Sequence, residues 1–485
     1  MTSRTWFGAG IARFAQAMPQ ASAIVTPDGV IDRATLQRRI EERAAALLGR
    51  GIVPGVTVAL FMRDQVEDLI SYLALARLGA PILCLDPGEP QLNRALTERA
   101  GARFLIGAAA DAMAGGWEFL DAVTLGAGDA SALPPPPEPS AVGFLSRSSG
   151  TTSGVPKLTR VTHAHHLGRA DAFNRRFART PDERYVAILS VAFELGRSVF
   201  TRALEEGGSA ILPPPLKSVD ALAATARELG ATWTALTPAH LRSLVAAAPA
   251  GGQLLPWMRI LCSAAALTAA ERRQVMERIS PRLSILYGTN EIGALAIARP
   301  EDLSRRIDTV GRVLDGITAE AVDGDTPLPA GRIGELRFSS PEFPSSYVDA
   351  VPGSGGRFVG GWYYPGDIGA IDADGFLFLR GRTDDMINAG GRKIYPADIE
   401  DCLTQHPAVA EAFAFGLPER HEGTAAVAAI VLRAPCPLVE IRAHCISVLG
   451  QGRTPRILRA FPALPRTPLG KIDRAAMLAA WTAGG

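Results

Sequence analysis

Lysine is nearly missing from this sequence. Of its 485 residues, 50 are Lys or Arg, and only Lys157, Lys217, Lys393 and Lys471 are Lys. Where the chain needs nothing more than surface positive charge it uses Arg, so each Lys asks for a reason of its own. Cysteine is sparse as well: Cys84, Cys262, Cys402, Cys436 and Cys445 are scattered, and no pair has CxxC spacing. Such a pattern in a long chain speaks against a disulfide framework or a zinc site, and idle thiols in a reducing compartment are expected. A surplus of charge is also lacking, since 50 Lys+Arg balance 49 Asp+Glu. A nucleic-acid partner is therefore not expected. No uninterrupted apolar run reaches about 18 residues, so no membrane span is expected. Residues 1–20, broken by Arg4 and Arg13, have no continuous apolar core of the kind a signal peptide needs. A cytoplasmic protein is the resulting expectation. Internal repeats are absent. None of the seven His falls in a catalytic spacing, and His163, His165 and His166 are expected at the surface or at a helix start.

What is present is the composition of a folded protein, 47% hydrophobic and 20% charged. The length exceeds one ordinary core, so two or more domains are expected. Residues 34–51 read as an amphipathic helix closed by Gly51, 56–62 as a buried strand, 65–78 as a helix ended by Gly79, and 81–85 as a strand. Strand-like runs recur at 186–189, 209–212, 232–236, 260–262 and 284–287, with helical segments at 218–229 and 238–248. This alternation predicts βαβ units and a mainly parallel sheet. The Pro-rich stretch 133–140 reads as a stiff connector. Beyond Gly331 short strands and turns follow, with Asp372-Ala373-Asp374-Gly375 as a hairpin signal. From Asp398 helices and strands return, enough for a separate α+β domain.

A strand over 142–145 leads into Ser146-Arg147-Ser148-Ser149-Gly150-Thr151-Thr152-Ser153-Gly154-Val155-Pro156-Lys157. Glycine gives backbone freedom, hydroxyls and N–H groups can wrap phosphate oxygens, and Lys157 adds a point charge. Pro156 before the Lys, with no Ser or Thr after it, departs from the GxxxxGK[ST] loop. Taken alone, the stretch also reads as a flexible linker. The loop resembles the SGTTGxPKG signature of the adenylate-forming superfamily, which holds acyl- and aryl-CoA synthetases, nonribosomal peptide synthetase adenylation domains and luciferases. It differs by one extra residue and by Leu158 in place of Gly. Four further segments resemble that family in order: Tyr287-Gly288-Thr289-Asn290-Glu291 (YGxTE), Tyr364-Pro365-Gly366-Asp367 ([ST]GD), Gly381-Arg382-Thr383-Asp384-Asp385 (GRxDD) and Pro465-Arg466-Thr467-Pro468-Leu469-Gly470-Lys471 (PRTxxGK). Residues 56–87 resemble its early part.

The resemblance implies an α/β fold class. A large N-terminal adenylation domain (1–383) would hold two helix-flanked, mainly parallel sheets and a small β-barrel-like subdomain. A small mobile α+β domain (384–485) would carry Lys471. The implied reaction joins a carboxylic acid to ATP, giving an acyl-adenylate and pyrophosphate, and then passes the acyl group to a thiol. A carboxylate is a poor electrophile because oxide leaves badly; AMP in a mixed anhydride leaves readily. Catalysis then rests on positioning and on neutralising charge that shifts.

The resemblance also assigns roles. Glu291 would be the protein ligand of a phosphate-bridging Mg2+. Asn290, where Thr is usual, would bond a phosphate or carboxylate oxygen. Asp367 would accept hydrogen bonds from both ribose hydroxyls, with Pro365 removing one hydroxyl nearby. Arg382 would contact ribose or phosphate. Tyr287 would stack on adenine, an ordinary core Tyr being the other reading, with Gly288 and Thr289 beside it. Ser148, Ser149, Gly150, Thr151, Thr152, Ser153, Gly154 and Lys157 would hold phosphate. Ser263-Ala264-Ala265-Ala266 resembles SGGxP, with Ala265 on the nucleotide side and Ala264 on the acyl side; Ala in place of Gly narrows the backbone approach. Lys471 would bridge the acid carboxylate and the α-phosphate. Asp384 matches the hinge about which the C-terminal domain rotates. Gly390, Gly391 and Lys393 would flank a pantetheine arm.

Phe193-Glu194 falls where amino-acid-activating relatives carry Phe-Asp and many acyl-CoA synthetases carry Phe-His. Glu194 pairs either a substrate amine or Arg197 one turn along. Phe193, Ala264, Thr289 and Gly293 are the other pocket candidates. Fourteen residues follow Lys471, so an acceptor in trans is expected. Coenzyme A is favoured by the segment up to Pro396, and the phosphopantetheine of a separate carrier protein is the alternative. A nucleotide-binding chain without turnover is a third reading. The identity of the acid and the oligomeric state are not legible.

Overall fold

The computed structural model describes residues 5–63, 66–148, 156–177, 180–213, 219–249, 251–348, 357–389, 392–419, 423–466 and 472–483. Val58–Phe61 and Phe104–Gly107 are buried at every position, as parallel strands covered on both faces must be. They belong to a six-stranded sheet ordered Glu118–Asp121, Phe104–Gly107, Val58–Phe61, Ile82–Leu85, Val142–Arg147, Leu158–Thr162. All of its pairs are parallel except the last. The helix Val66–Leu78 is apolar almost all round because it lies between this sheet and the helix Arg33–Gly49. Asp32 caps that outer helix, accepting from the Thr35 N–H at 2.7 Å.

The second sheet has sixteen strands and changes character midway. Ser22–Thr26, Ser209–Ile211, Arg184–Val186, Trp233–Leu236, Arg259–Cys262 and Leu283–Thr289 run parallel. The chain then reverses within a few residues, helped by Gly293 at φ +78°. Gly293–Ala298 returns antiparallel with Thr289 opposite Gly293. Gly311–Val313, Phe376–Arg382, Asp367–Ile371, Gly334–Ser339 and Thr318–Asp323 extend the antiparallel half. The expected β subdomain is present, and its ladder is continuous with the parallel half, because Gly311–Val313 pairs on both sides.

The chain leaves this sheet at Arg382, makes one 3₁₀ turn over Thr383–Asp385, and enters a separate five-stranded sheet. Its long hairpin, Val409–Glu419 with Gly423–Leu432, has a core on each face. Ala414 and Ala428 point to one, with Ile399 and Ile441. Phe415 and Val427 point to the other, where Phe415 meets Trp481 edge-on at 5.1 Å. This is strand alternation at work. All five cysteines are free. Among the described residues, no helix is long and apolar enough to cross a membrane.

His163 does start a helix, His163–Phe177. The expected surface position does not hold for His163 or His166, which are buried. The N-terminal segment folds over them. The Phe7 N–H donates to His163 Nδ1 at 3.2 Å, and the Phe7 ring stands edge-on to His166 at 4.6 Å. Burial pushes the His163 pKa down to about 4. An unfolded His titrates near pH 6.5. Between about pH 6.5 and 4 the unfolded chain therefore holds the extra proton, and stability falls as pH drops. The full span amounts to roughly 3 kcal/mol. His163→Gln is expected to flatten the pH dependence of the denaturation midpoint between about pH 6.5 and 5. An unchanged slope would place the proton uptake elsewhere.

Candidate active site

The two sheets meet at the strands that flank the phosphate-type loop. Residues 149–155 lie outside the described residues, so Ser149, Gly150, Thr151, Thr152, Ser153 and Gly154 are not placed. The base of the loop is closed: the Ser148 N–H donates to the Lys157 carbonyl at 2.8 Å, and the Lys157 N–H to Ser148 Oγ at 3.0 Å. The Lys157 ammonium lies 5.0 Å from the Tyr347 ring centroid, within cation–π range. Ser146 Oγ donates to the Asn290 carbonyl at 2.7 Å, and Thr159 Oγ1 to that of Glu291 at 3.5 Å. The strands flanking the loop thus hold the Tyr287–Glu291 segment, which comes from the other sheet.

Glu291 is buried, and its Oε2 has no hydrogen-bond partner. Burial pushes its pKa above the usual carboxylate range, against the pull of its own backbone N–H, of Arg357, and of the Thr289 and Tyr363 hydroxyls. A buried orphan carboxylate oxygen is costly unless a cation takes it up, and oxygen donors suit Mg2+. Among the described residues no cluster of three or more His, Cys, Asp or Glu could hold a metal. A metal here would take Glu291 from the protein and its other oxygens from phosphate and water.

Asp367 stands at the mouth of the antiparallel half. Tyr287 Oη donates to its Oδ2 at 2.6 Å, and Arg382 Nη1 to its Oδ1 at 3.3 Å. Four ladder steps separate the strands of Tyr287 and Asp367, roughly 19 Å in a flat sheet. The sheet therefore curls back on itself here. Burial, reinforced by the neighbouring Asp367 carboxylate, raises the Tyr287 pKa and keeps its hydroxyl a donor. Tyr287 packs in the core close to Phe338, so its hydroxyl is committed to Asp367. Gly288 is exposed, and a Cβ there would stand 2.4 Å from the Gly293 carbonyl. Thr289 and Asn290 are half-buried.

Ala264 has φ +79°, the one non-glycine residue in the left-handed region among the described residues. An Ala therefore holds a conformation that glycine takes freely, at a cost of roughly 1 kcal/mol. Ala264 and Ala265 are both exposed.

On the acyl side, Phe193 immediately precedes the helix Glu194–Glu205, and both Phe193 and Glu194 are half-buried. Of the two readings of Glu194, the structure contains the pairing with Arg197: Nη2 to Oε2 is 2.5 Å. Arg197 also donates to the carbonyls of Val191 and Ala192. Arg169, which sequence reasoning missed, is buried on the helix His163–Phe177 and lies against Gly293.

Asp384 lies in the 3₁₀ turn between the sheets, beside Asp385, which pairs with Arg474. Lys471, Gly390 and Gly391 lie outside the described residues, as does Lys217. Arg466 and Ile472, on either side of residues 467–471, line a cleft with Arg242, Thr268 and Glu271 of the N-terminal domain. Lys393 is exposed on Arg392–Ile394.

A two-sheet domain whose sheets meet beside the strands flanking a phosphate-type loop, followed by a separate small α+β domain, is here that of an acid-activating, AMP-forming ligase, as the family match and the named relatives show. The chain belongs to the AMP-binding enzyme family: that family's model matches residues 11–348, and the AMP-binding enzyme C-terminal domain matches 398–471. It is 33% identical to a sulfoacetate–CoA ligase of Cupriavidus necator, over 72% of this chain and 69% of that one. It is 31% identical to a salicyl-AMP ligase/salicyl-S-ArCP synthetase of Mycobacterium tuberculosis, over 93% and 85%. Its fold matches the amide bond synthetase McbA of Marinactinospora thermotolerans with a TM-score of 0.85 at 24% identity, over 98% and 99%.

Proposed function

We propose that the chain joins a carboxylic acid to ATP, releases pyrophosphate, and transfers the acyl group from the adenylate to the thiol of coenzyme A. The observation that carries this reading is the convergence of three elements at one junction: the closed base of the phosphate-type loop, the orphan oxygen of Glu291 and the doubly held Asp367. Asp367 accepts the ribose hydroxyls, and Tyr287 and Arg382 fix its orientation. Lys157 and residues 148–154 receive the phosphates, with Asn290 and Thr289 facing the reacting end. Ala265 borders the nucleotide, and Phe193, Ala264 and Gly293 border the acyl group. Glu291 would hold a Mg2+ that neutralises phosphate charge. Lys471 supplies a mobile cation between the acid and the α-phosphate.

Coenzyme A as acceptor is supported by relatives named as ligases of sulfoacetate, indoleacetate and 4-chlorobenzoate with coenzyme A. A carrier protein is the second reading, supported by the salicyl-S-ArCP synthetase. Glu194, already neutralised by Arg197, favours an acid without an amine. ATP and coenzyme A as substrates fit a cytoplasmic enzyme.

The test is carboxylate-dependent ATP–pyrophosphate exchange over a panel of acids, followed by thioester assays with coenzyme A and with a holo carrier protein. Absence of exchange with every acid would support a nucleotide-binding chain without turnover. Asp384 is proposed as the hinge between residues 1–383 and 384–485. Asp384→Pro is then expected to slow thioester formation about tenfold or more while exchange changes little. Equal slowing of both steps would remove the hinge role.

A further inference from the structure

Arg169 is 8% exposed, and its Nε and Nη1 are buried without a hydrogen-bond partner. A guanidinium stays charged, and a buried charge without a partner is strongly disfavoured unless something else completes it. The carboxylates that act on it electrostatically are Glu194 and Glu342. Among the described residues neither forms an ion pair with Arg169. Glu194 is taken by Arg197, and the Glu342 carboxylate packs over the bare Cα of Gly168. The guanidinium lies against Gly293, where a Cβ would stand 3.3 Å from Nη1. Gly293 follows Glu291 by two residues, a span of at most about 7 Å. An unsatisfied cation therefore sits within a small molecule's length of the orphan oxygen of Glu291.

We propose that Arg169 binds a second anionic group on the acid, a sulfonate or a second carboxylate, and so selects a short dianionic substrate. The proposal rests on the acyl-adenylate reading of the site. One end of the acid is activated near Glu291, and the other end meets the guanidinium fork, which matches two oxygens of one oxyacid group. Arg169 is a specificity-determining residue and takes no part in bond making. Its signal in the sequence is faint: an Arg twelve residues past Lys157, on a helix that also holds Arg175 and Arg176.

The test is titration calorimetry of the full chain in the presence of AMP, with sulfoacetate, malonate and succinate against propanoate. The wild type is expected to bind at least one dianion about 30-fold or more tightly than propanoate. Arg169→Met should collapse that ratio, and Arg169→Lys should keep part of it. Comparing the sulfonate with the two dicarboxylates identifies the second anion. Equal affinities in the wild type, no binding of any dianion, or a ratio preserved in Arg169→Met overturns the proposal. The wild-type comparison needs no variant to fold. Because binding is read without turnover, a retained preference alongside absent pyrophosphate exchange would count against the adenylation reading alone.

Discussion

Lys471→Ala is expected to lower carboxylate-dependent ATP–pyrophosphate exchange about 10³-fold, while thioester formation from supplied acyl-adenylate is spared. The first half-reaction brings a carboxylate up to an α-phosphate, two negative groups that repel each other. A cation between them matters most where charge shifts in the transition state. Once the adenylate exists that repulsion is gone, so the second step should not need the same side chain. Lys471 is one of four lysines in a chain that otherwise uses Arg. A long flexible ammonium can follow the carboxylate in a way that the planar guanidinium cannot. Lys471→Arg is therefore also expected to be slow in exchange. Arg466 and Ile472, which bracket the segment, line a cleft with Thr268 and Glu271, just past Ala264 and Ala265. Equal loss in both half-reactions would rule out this division of labour.

Asp367→Ala is expected to raise the KM for ATP by about two orders of magnitude or more, read by exchange kinetics or by AMP titration. Two charge-assisted hydrogen bonds to a ribose are worth roughly 1.5–3 kcal/mol each. The substitution also strands groups that hold the carboxylate, among them Tyr287 at 2.6 Å and Arg382 at 3.3 Å. Tyr287→Phe should cost less, about tenfold, because Asp367 keeps its charge and loses only one orienting donor. The graded pair separates binding from positioning. Unchanged nucleotide affinity in Asp367→Ala would remove the ribose role.

Much of the fold was legible because it is written in local patterns. The helix read at 34–51 is Arg33–Gly49, and that read at 238–248 is Pro238–Ala247. Apolar periodicity, with Gly51 closing the first and Thr237-Pro238 opening the second, fixes such elements without help from distant residues. The motif segments were legible for a similar reason, since each is a short contiguous run. Their convergence was not. Ser146 meets Asn290 across 144 residues and Tyr287 meets Asp367 across 80, contacts that no local pattern encodes. His163 and His166 illustrate the same limit: a polar triplet at a helix start reads as surface, and the N-terminal segment that covers it lies 156 residues away in the chain.

By itself, the sequence determined the family, the alternation of strands and helices, and the residues able to handle phosphate and carboxylate. These follow from spacing along the chain, which propensity and motif chemistry record. Only the tertiary structure decided which of those residues face one another. It curled the sheet until Tyr287 reached Asp367. It gave Glu194 to Arg197, and it left Arg169 buried beside Gly293 with its Nε and Nη1 unpaired. Burial and pairing depend on what the rest of the chain brings alongside. The electrostatics of the acyl side, and with it the class of acid proposed here, therefore became readable only in three dimensions.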